Sequence, residues 1–139
     1  MSREILFRGK RVDNGEWVYG SYVICLDEDD HRELHLIIPP DTEMYRFDFS
    51  GGCYVTSESV GQFTGLTDKN GKKIFEGDIV AYQDYDKLFF SGVVEYLKET
   101  AMFVVRFKQG FIYYFMSNRL DNVEVIGNIF DNAELLQEK

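Results

Sequence analysis

Tight-turn signals recur along this chain and separate short runs of β-branched and aromatic residues. Asp13-Asn14-Gly15 and Asp68-Lys69-Asn70-Gly71 are strong signals, because Asn and Gly tolerate the positive φ that tight hairpins require. Runs such as Trp17 to Ile24, Gly92 to Leu97 and Ala101 to Phe107 lie between such turns. Several short strands at this spacing predict a β-sandwich or a small barrel.

The composition also favours a mainly β fold. The 139 residues include 12 valines, nine isoleucines, 12 phenylalanines and nine tyrosines, but only three alanines. β-branched and aromatic side chains suit pleated strands, whereas Ala is the strongest helix former. One short C-terminal helix is expected, capped by Asp131 or Asn132. In that helix Leu135 and Leu136 would face the body of the protein.

Two regions are expected along the chain. Residues 1–57 are predicted to form an N-terminal lobe of β-hairpins, with an acidic loop at 27–33 and irregular structure over much of 41–58. Residues 58–139 contain consecutive short β-segments and are predicted to form an SH3-like small barrel. No Gly/Ser-rich or Pro-rich linker marks the boundary.

Charge and hydropathy disfavour several classes of protein. The 24 acidic residues exceed the 15 basic ones, for a net charge of −9, whereas generic nucleic-acid binding depends on Lys and Arg. The longest apolar runs are far shorter than the ~20 residues of a membrane-spanning helix, and the charged start lacks the apolar stretch of a signal peptide. Cys25 and Cys53 form neither a zinc pair nor a disulfide framework. We therefore expect a cytoplasmic protein with reduced thiols and no membrane contact.

One long stretch, Val60 to Val80, reads VGQFTGLTDKNGKKIFEGDIV. Gly92 to Tyr96 and Glu124 to Leu136 follow it, and Phe7 to Lys10 with Asn14 to Trp17 opens the chain. In this order and spacing the stretches resemble the YopX family, which bacteriophages and prophages encode, chiefly in Gram-positive bacteria. The resemblance implies an SH3-type barrel in the C-terminal part. It transfers no catalytic residues, because the biochemical function of the family is not established.

The same long stretch has a structural interpretation. Asp68 and Asp78 can each accept a hydrogen bond from a nearby backbone N–H and pin a turn. Three glycines stand where positive φ or close backbone approach is expected: Gly65, Gly71 and Gly77. The expected core residues of this stretch are Phe63, Leu66, Ile74, Phe75 and Ile79.

The candidate metal ligands are His31, Glu33 and His35, which would share one face of an extended segment. Two imidazoles and a carboxylate can hold zinc or iron. A surface strand beside an acidic loop explains the trio equally well, and the His-Glu-x-x-His pattern is absent. We therefore predict no metal site and no cofactor. Whether the three residues meet in space stays open.

No catalytic or cofactor-binding residues are predicted, because the sequence contains no nucleophile elbow, phosphate-binding loop or dinucleotide fingerprint. A non-catalytic protein-interaction module is the main hypothesis. The alternatives are a nucleic-acid-binding SH3-like module and, behind it, a hydrolase-like enzyme. Lys69, Lys72 and Lys73 could form a local basic patch for nucleic acid, but solvated lysines of a turn are the preferred interpretation.

Self-association is a further expectation. If Phe111 to Met116 is extended, it presents apolar and aromatic side chains on both faces, and a small barrel has only one interior. The second face would be covered by the N-terminal lobe or by another copy, or would stay exposed. We therefore predict a protein partner of unknown identity and leave open a homo-oligomer.

Overall fold

Antiparallel β-strands make up most of this protein, which confirms the mainly β prediction. The structure, a computed structural model, describes residues 3–42, 51–83, 89–107, 112–114 and 122–136. Short 3₁₀ helices lie at Ser57–Ser59 and Ala133–Leu136. The strands are β1 (Phe7–Lys10), β2 (Trp17–Leu26), β3 (Glu33–Ile38), β4 (Cys53–Tyr54), β5 (Gly61–Thr67), β6 (Lys73–Phe75), β7 (Asp78–Gln83), β8 (Phe89–Leu97), β9 (Met102–Phe107), β10 (Ile112–Tyr114) and β11 (Val123–Asn128).

The strands form two antiparallel sheets, in the orders β4-β3-β2-β1-β5-β6 and β10-β9-β8-β7-β11. Neither sheet closes on itself among the described strands, and the SH3-like barrel predicted for residues 58–139 is not confirmed. The chain divides into a first unit, Met1–Gln62, and a second unit, Phe63–Lys139. This division falls within β5, whereas the predicted boundary lies between residues 57 and 58. Across the described ranges, we find no helix with the length and apolar character needed to cross a bilayer.

In the first unit, the β1–β2 hairpin forms at the predicted turn. Gly15 has a φ of 73°, and its N–H donates to the carbonyl oxygen of Arg11. The chain after β4 returns to the end of β1, where the Thr56 N–H donates to the Lys10 carbonyl oxygen at 3.0 Å. The buried apolar residues of this unit are Leu36, Ile37 and Val55.

In the second unit, the core lies on one face of the five-stranded sheet. This core cluster comprises Ile74, Val80, Val94, Val105, Phe107, Val123 and Val125. The partly buried side chains of Leu66, Tyr82 and Phe90 pack against it. Of the core residues expected from the long stretch, Phe63, Ile74, Phe75 and Ile79 are buried, and Leu66 is half-buried.

Asp68 joins the β5–β6 turn to β11. Its Oδ1 accepts hydrogen bonds from the N–H groups of Asn70 and Lys72, both at 2.9 Å, and its Oδ2 accepts one from Val125 at 2.8 Å. Burial alone would raise the pKa of this carboxyl, but the three N–H donors outweigh it and hold the pKa below its ordinary value of 3.8. Asp78 pins the next turn in the predicted way, because its Oδ2 accepts from the Phe75 N–H at 2.7 Å.

The structure corrects or completes several local predictions. The run Ala101 to Phe107 forms β9, and the middle of this strand is covered on both faces, because the adjacent residues Val104 and Val105 are both buried. The C-terminal helix is a single 3₁₀ turn, and Leu135 is exposed, whereas Leu136 is half-buried. The side-chain Oδ1 of Asn132 accepts a hydrogen bond from the Asn128 N–H. The backbone carbonyl oxygen of Asn132 accepts one from the Leu135 N–H.

The predicted segment Phe111 to Met116 is a strand over Ile112–Tyr114, and the rest of it lies outside the described residues. Gln109-Gly110, where the sequence also predicts a turn, lies outside them as well.

Replacing Gly71 should show that the hairpin turn depends on backbone conformation alone. Gly71 has a φ of 81°, and a Cβ added there would meet no atom within 4 Å. Gly71→Val should therefore lower the free energy of unfolding by about 1 kcal/mol or more, because a β-branched residue resists positive φ. Urea unfolding measures the change, and an unaltered midpoint would contradict the assignment.

Ala101 supplies the reciprocal control. It is a non-glycine residue with a φ of 56° in the turn between β8 and β9. Ala101→Gly should raise the free energy of unfolding by about 0.5 kcal/mol. Glycine removes the strain of a left-handed backbone in the folded state, and this gain exceeds the cost of the greater conformational entropy that glycine gives to the unfolded chain.

Asp68→Asn should lower the free energy of unfolding by about 2 kcal/mol at pH 7, since an amide cannot accept all three N–H groups. The pKa of the Asp68 carboxyl is lower in the folded state than its ordinary value of 3.8. The stabilisation that the ionised carboxylate provides is therefore complete above pH 3.8 and is lost as the pH falls through the folded-state pKa. The difference between wild type and variant should therefore shrink below about pH 4.

Urea unfolding from pH 7 down to pH 3 measures that difference. The control is Asp13→Asn, which removes an exposed pair with Arg11 and should change stability little. A gap between wild type and Asp68→Asn that stays constant with pH would show that the charge on Asp68 is not what holds the turn.

Candidate functional site

A groove of about 460 Å³ opens in the first unit where β3 begins. Its walls combine apolar side chains with three charged residues and one histidine. The lining residues are Val12, Asp27, Arg32, Glu33, Leu34, His35, Tyr54 and Val55. Such a mixture of an apolar surface with a few placed polar groups is typical of binding sites.

Glu33 and His35, two of the three candidate metal ligands, lie close together, and a tyrosine joins them. His35 Nε2 lies 3.3 Å from Oε2 of Glu33, and His35 Nδ1 lies 2.5 Å from the Tyr22 hydroxyl. The Tyr22 and His35 rings are also stacked, with their centroids 5.8 Å apart. A carboxylate can only accept hydrogen, so the tautomer with its proton on Nε2 suits Glu33 and leaves Nδ1 to accept from the tyrosine O–H.

The register between β2 and β3 explains this meeting. Ile24 lies opposite His35, and Leu26 lies opposite Glu33. Because side chains alternate between the faces of a sheet, Tyr22 lies on the same face as this row and is the diagonal neighbour of His35. Burial raises the pKa of the Tyr22 hydroxyl, and the charge of Glu33 adds to the effect. Tyr22 therefore remains a protonated hydrogen-bond donor at neutral pH.

His31 does not join the other two residues. It lies in the turn before β3, with a φ of 58°, so the alternation of side chains in a strand does not apply to it. Over the ranges that the structure describes, no group of three or more His, Cys, Asp or Glu is placed to hold a metal ion.

The acidic turn beside the groove is closed by its own backbone. Asp27 Oδ1 accepts from the N–H groups of Asp29 and Asp30 at 2.9 and 3.2 Å, and these bonds lower the pKa of the Asp27 carboxyl. The Asp27 N–H donates to the Arg32 carbonyl oxygen. The turn thus holds an ionised carboxylate at the groove.

The remaining sequence candidates lie elsewhere. Lys69 and Lys72 occupy the β5–β6 turn, where their N–H groups donate to the Val123 carbonyl oxygen and to Asp68, and the Lys73 ammonium lies 5.7 Å from the Phe63 ring. The two cysteines, Cys25 and Cys53, are free and half-buried.

A second groove, of about 290 Å³, lies in the second unit beside Leu136. Its lining includes Arg106, whose Nε lies 2.6 Å from Oε2 of Glu95. Because this guanidinium is already paired with a carboxylate of the same groove, it is a weaker candidate for binding an anion than an unpaired arginine would be.

Sequence reasoning found Glu33 and His35 but missed Tyr22, Val12 and Tyr54. Tyr22 lies in the run Trp17 to Ile24 that the sequence indicates as a strand, but the register that sets it beside His35 depends on a partner strand. Val12 and Tyr54 come together because the Val12 N–H donates to the Tyr54 carbonyl oxygen, across more than 40 residues of chain. A single sequence carries no local signal for such a pairing.

Comparison with known proteins identifies relatives of the whole chain. The family model described as YopX protein matches residues 6–137. The crystal structure of protein EF1440 from Enterococcus faecalis is similar, with 27% sequence identity and a TM-score of 0.57, and the match covers 98% of this chain and 100% of that one. No curated protein matches the sequence. On the match over residues 6–137, this chain belongs to the YopX family.

Proposed function

We propose that this protein is a non-catalytic protein-interaction module and that the first-unit groove binds a segment of a partner protein. As the family resemblance implies, it would serve as a phage- or prophage-encoded accessory protein in the cytoplasm of a bacterial host. An SH3-like barrel in the C-terminal part is the corresponding proposal for the second unit. The observation that carries the binding role is the exposed apolar rim of the groove.

Two residues form this rim. Val12 is 62% exposed and Tyr54 is 55% exposed. Both also line a neighbouring groove of about 320 Å³, together with Arg11, Asp13 and Cys53. Tyr54 and Val12 therefore belong to one surface that spans two adjoining depressions. Tyrosine is enriched at the energetically important centres of protein interfaces, because its ring buries a large area and its hydroxyl can still bond to water or to the partner.

The geometry of His35 supports binding over catalysis. A general base needs a ring nitrogen that can reach the substrate. In this groove Nδ1 is engaged by Tyr22 and Nε2 lies at the Glu33 carboxylate. The raised pKa of Tyr22 also disfavours its use as a nucleophile.

Charge supports a protein partner over a nucleic acid. Residues 1–62 contain 12 acidic and six basic residues, and Asp27 and Glu33 both line the groove. A phosphate backbone would be repelled at this surface. The basic patch at Lys69, Lys72 and Lys73 belongs to the other unit, where Lys69 and Lys72 are turn residues and Lys73 begins β6.

Selection from a displayed random-peptide library tests the proposed site. Wild-type protein should enrich a family of peptides, and Tyr54→Ser should weaken the binding of a selected peptide at least tenfold, because the tyrosine ring is the larger of the two exposed apolar side chains on the rim. Fluorescence anisotropy measures the affinity. Failure of the wild-type protein to enrich any peptide would overturn the proposal.

Tyr96→Ser is the matched control. Tyr96 is a similarly exposed tyrosine, 46%, which packs against Phe103 in the second unit. This variant should bind the selected peptide like the wild type. Equal losses for Tyr54→Ser and Tyr96→Ser would show that the peptide does not use the groove.

Self-association remains a separate prediction. Among the strands that the structure describes, β10 lies at one edge of the five-stranded sheet, and edge strands can pair with a second copy. Tyr114→Glu should shift the assembly to a monomer while the protein stays folded. Light scattering measures the mass against the 16.2 kDa of one chain. A wild-type monomer at high micromolar concentration would exclude self-association.

A further inference from the structure

We infer that three residues of the second unit, Asp68, Lys69 and Asn132, close the outer edge of β11 and so prevent a second copy of this chain from adding a strand there. These three residues are called the edge guard below. The inference is independent of the groove proposed above, because the edge guard and β11 both belong to the second unit. It rests on the position of β11 in its sheet and on the hydrogen bonds that reach its edge.

β11 is a strand that needs protection. In the described part of the five-stranded sheet it lies at the edge opposite β10, and its neighbour is β7. An edge strand presents backbone N–H and C=O groups with which a strand of another molecule can pair. β11 reads VEVIGN and contains neither Pro nor Lys, the residues with which many proteins block an exposed edge. Its edge is therefore open to pairing unless another part of the chain covers it.

The β5–β6 turn covers the first half of this edge. The Lys69 N–H donates to the Val123 carbonyl oxygen at 3.0 Å, and the Val125 N–H donates to Oδ2 of Asp68 at 2.8 Å. The turn is therefore the hydrogen-bonding partner of a donor and an acceptor that an added strand would need. A second copy could pair with these two groups only after the turn had moved away from β11.

Asn132 covers the far end of the same edge. Its side-chain Oδ1 accepts from the Asn128 N–H at 3.2 Å, and its own N–H donates to the Asn128 carbonyl oxygen at 2.9 Å. Both backbone groups of the last residue of β11 are thus bonded to one residue. A Cβ at Gly127 would lie 2.6 Å from the Asn132 Oδ1, so glycine is what lets Asn132 approach this closely. The register of β11 also shifts between Val125 and Gly127, and such irregularities further oppose edge pairing.

A closed β11 edge limits how copies of the chain can assemble. If both edges of a sheet are open, one edge of a copy can pair with the opposite edge of the next copy, and such head-to-tail contacts can continue without limit. With β11 closed, β10 is the one edge left among the described strands of this sheet. Two copies that pair through the same edge satisfy each other completely. The edge guard therefore makes any association by strand pairing in this sheet end at two copies.

Removal of both side-chain acceptors tests the inference. In the double variant Asp68→Asn/Asn132→Ala, the amides of Val125 and Asn128 lose their described acceptors. Hydrogen exchange followed by NMR should show these two amides exchanging about tenfold faster or more, while the amides of the central strand β8 stay protected. Light scattering should show a mass that rises with protein concentration above that of the wild type, because the open edge adds a strand from a second copy.

Three further variants identify the cause of that association. Ile126 is an exposed residue of β11, and adding Ile126→Lys to the double variant should restore the wild-type mass while the two amides still exchange fast, because lysine opposes edge pairing. Val94→Ala is the control for general destabilisation, since Val94 is buried in β8, which does not pair with β11. It should lower stability without raising the mass. A parallel set of variants carrying Tyr114→Glu separates association at β11 from association at β10.

Three results would overturn the inference. Unchanged exchange at both amides would show that the two side chains do not hold the edge. Fast exchange at a wild-type mass would show that the open edge adds no strand. Association that Val94→Ala shares, or that Tyr114→Glu abolishes, would arise from unfolding or from β10. If circular dichroism shows that the double variant does not fold, Asn132→Ala alone decides, through the exchange of the Asn128 amide and the mass of the protein.

Discussion

A buried carboxylate organises the second unit. Asp68 satisfies three backbone N–H groups at once, two in its own turn and one in β11, which is 57 residues away in sequence. A buried N–H without an acceptor is costly, so the turn and β11 are stable only in the arrangement that brings all three donors to this side chain. The same arrangement fixes the β5–β6 hairpin, whose Ile74 belongs to the core cluster.

The first unit depends on strand register in a comparable way. Tyr22, His35 and Glu33 meet because β2 and β3 pair with Ile24 opposite His35. A slip of one residue would turn His35 and Glu33 to the other face of β3 and would separate them from Tyr22. The buried residues Leu36 and Ile37, on opposite faces of β3, oppose such a slip, because each face has its own apolar contacts to keep.

These two arrangements differ in what they leave for function. The Asp68 carboxylate is buried, and the hydrogen bonds described for it are to backbone N–H groups. Its role in the Val60 to Val80 stretch is therefore to stabilise the fold. Glu33 is exposed, and its Oε2 lies 3.3 Å from His35 Nε2. Family membership supplies no activity for the chain, and the proposed recognition of a partner segment rests on the exposed Val12 and Tyr54 side chains at the first-unit groove.

The sequence by itself determined the β class, several strand positions and the turns at Gly15 and Gly71, because these depend on local preferences: positive φ at the two glycines, Asp side chains that accept nearby N–H groups, and runs of β-branched and aromatic residues. It also indicated Glu33 and His35 as neighbours on one face. Only the tertiary structure decided that His31 stands apart, that Tyr22 completes the pair and that Val12 meets Tyr54. Those outcomes depend on the register between strands and on contacts distant in sequence, which are set by the packing of the whole unit and leave no local pattern in the chain.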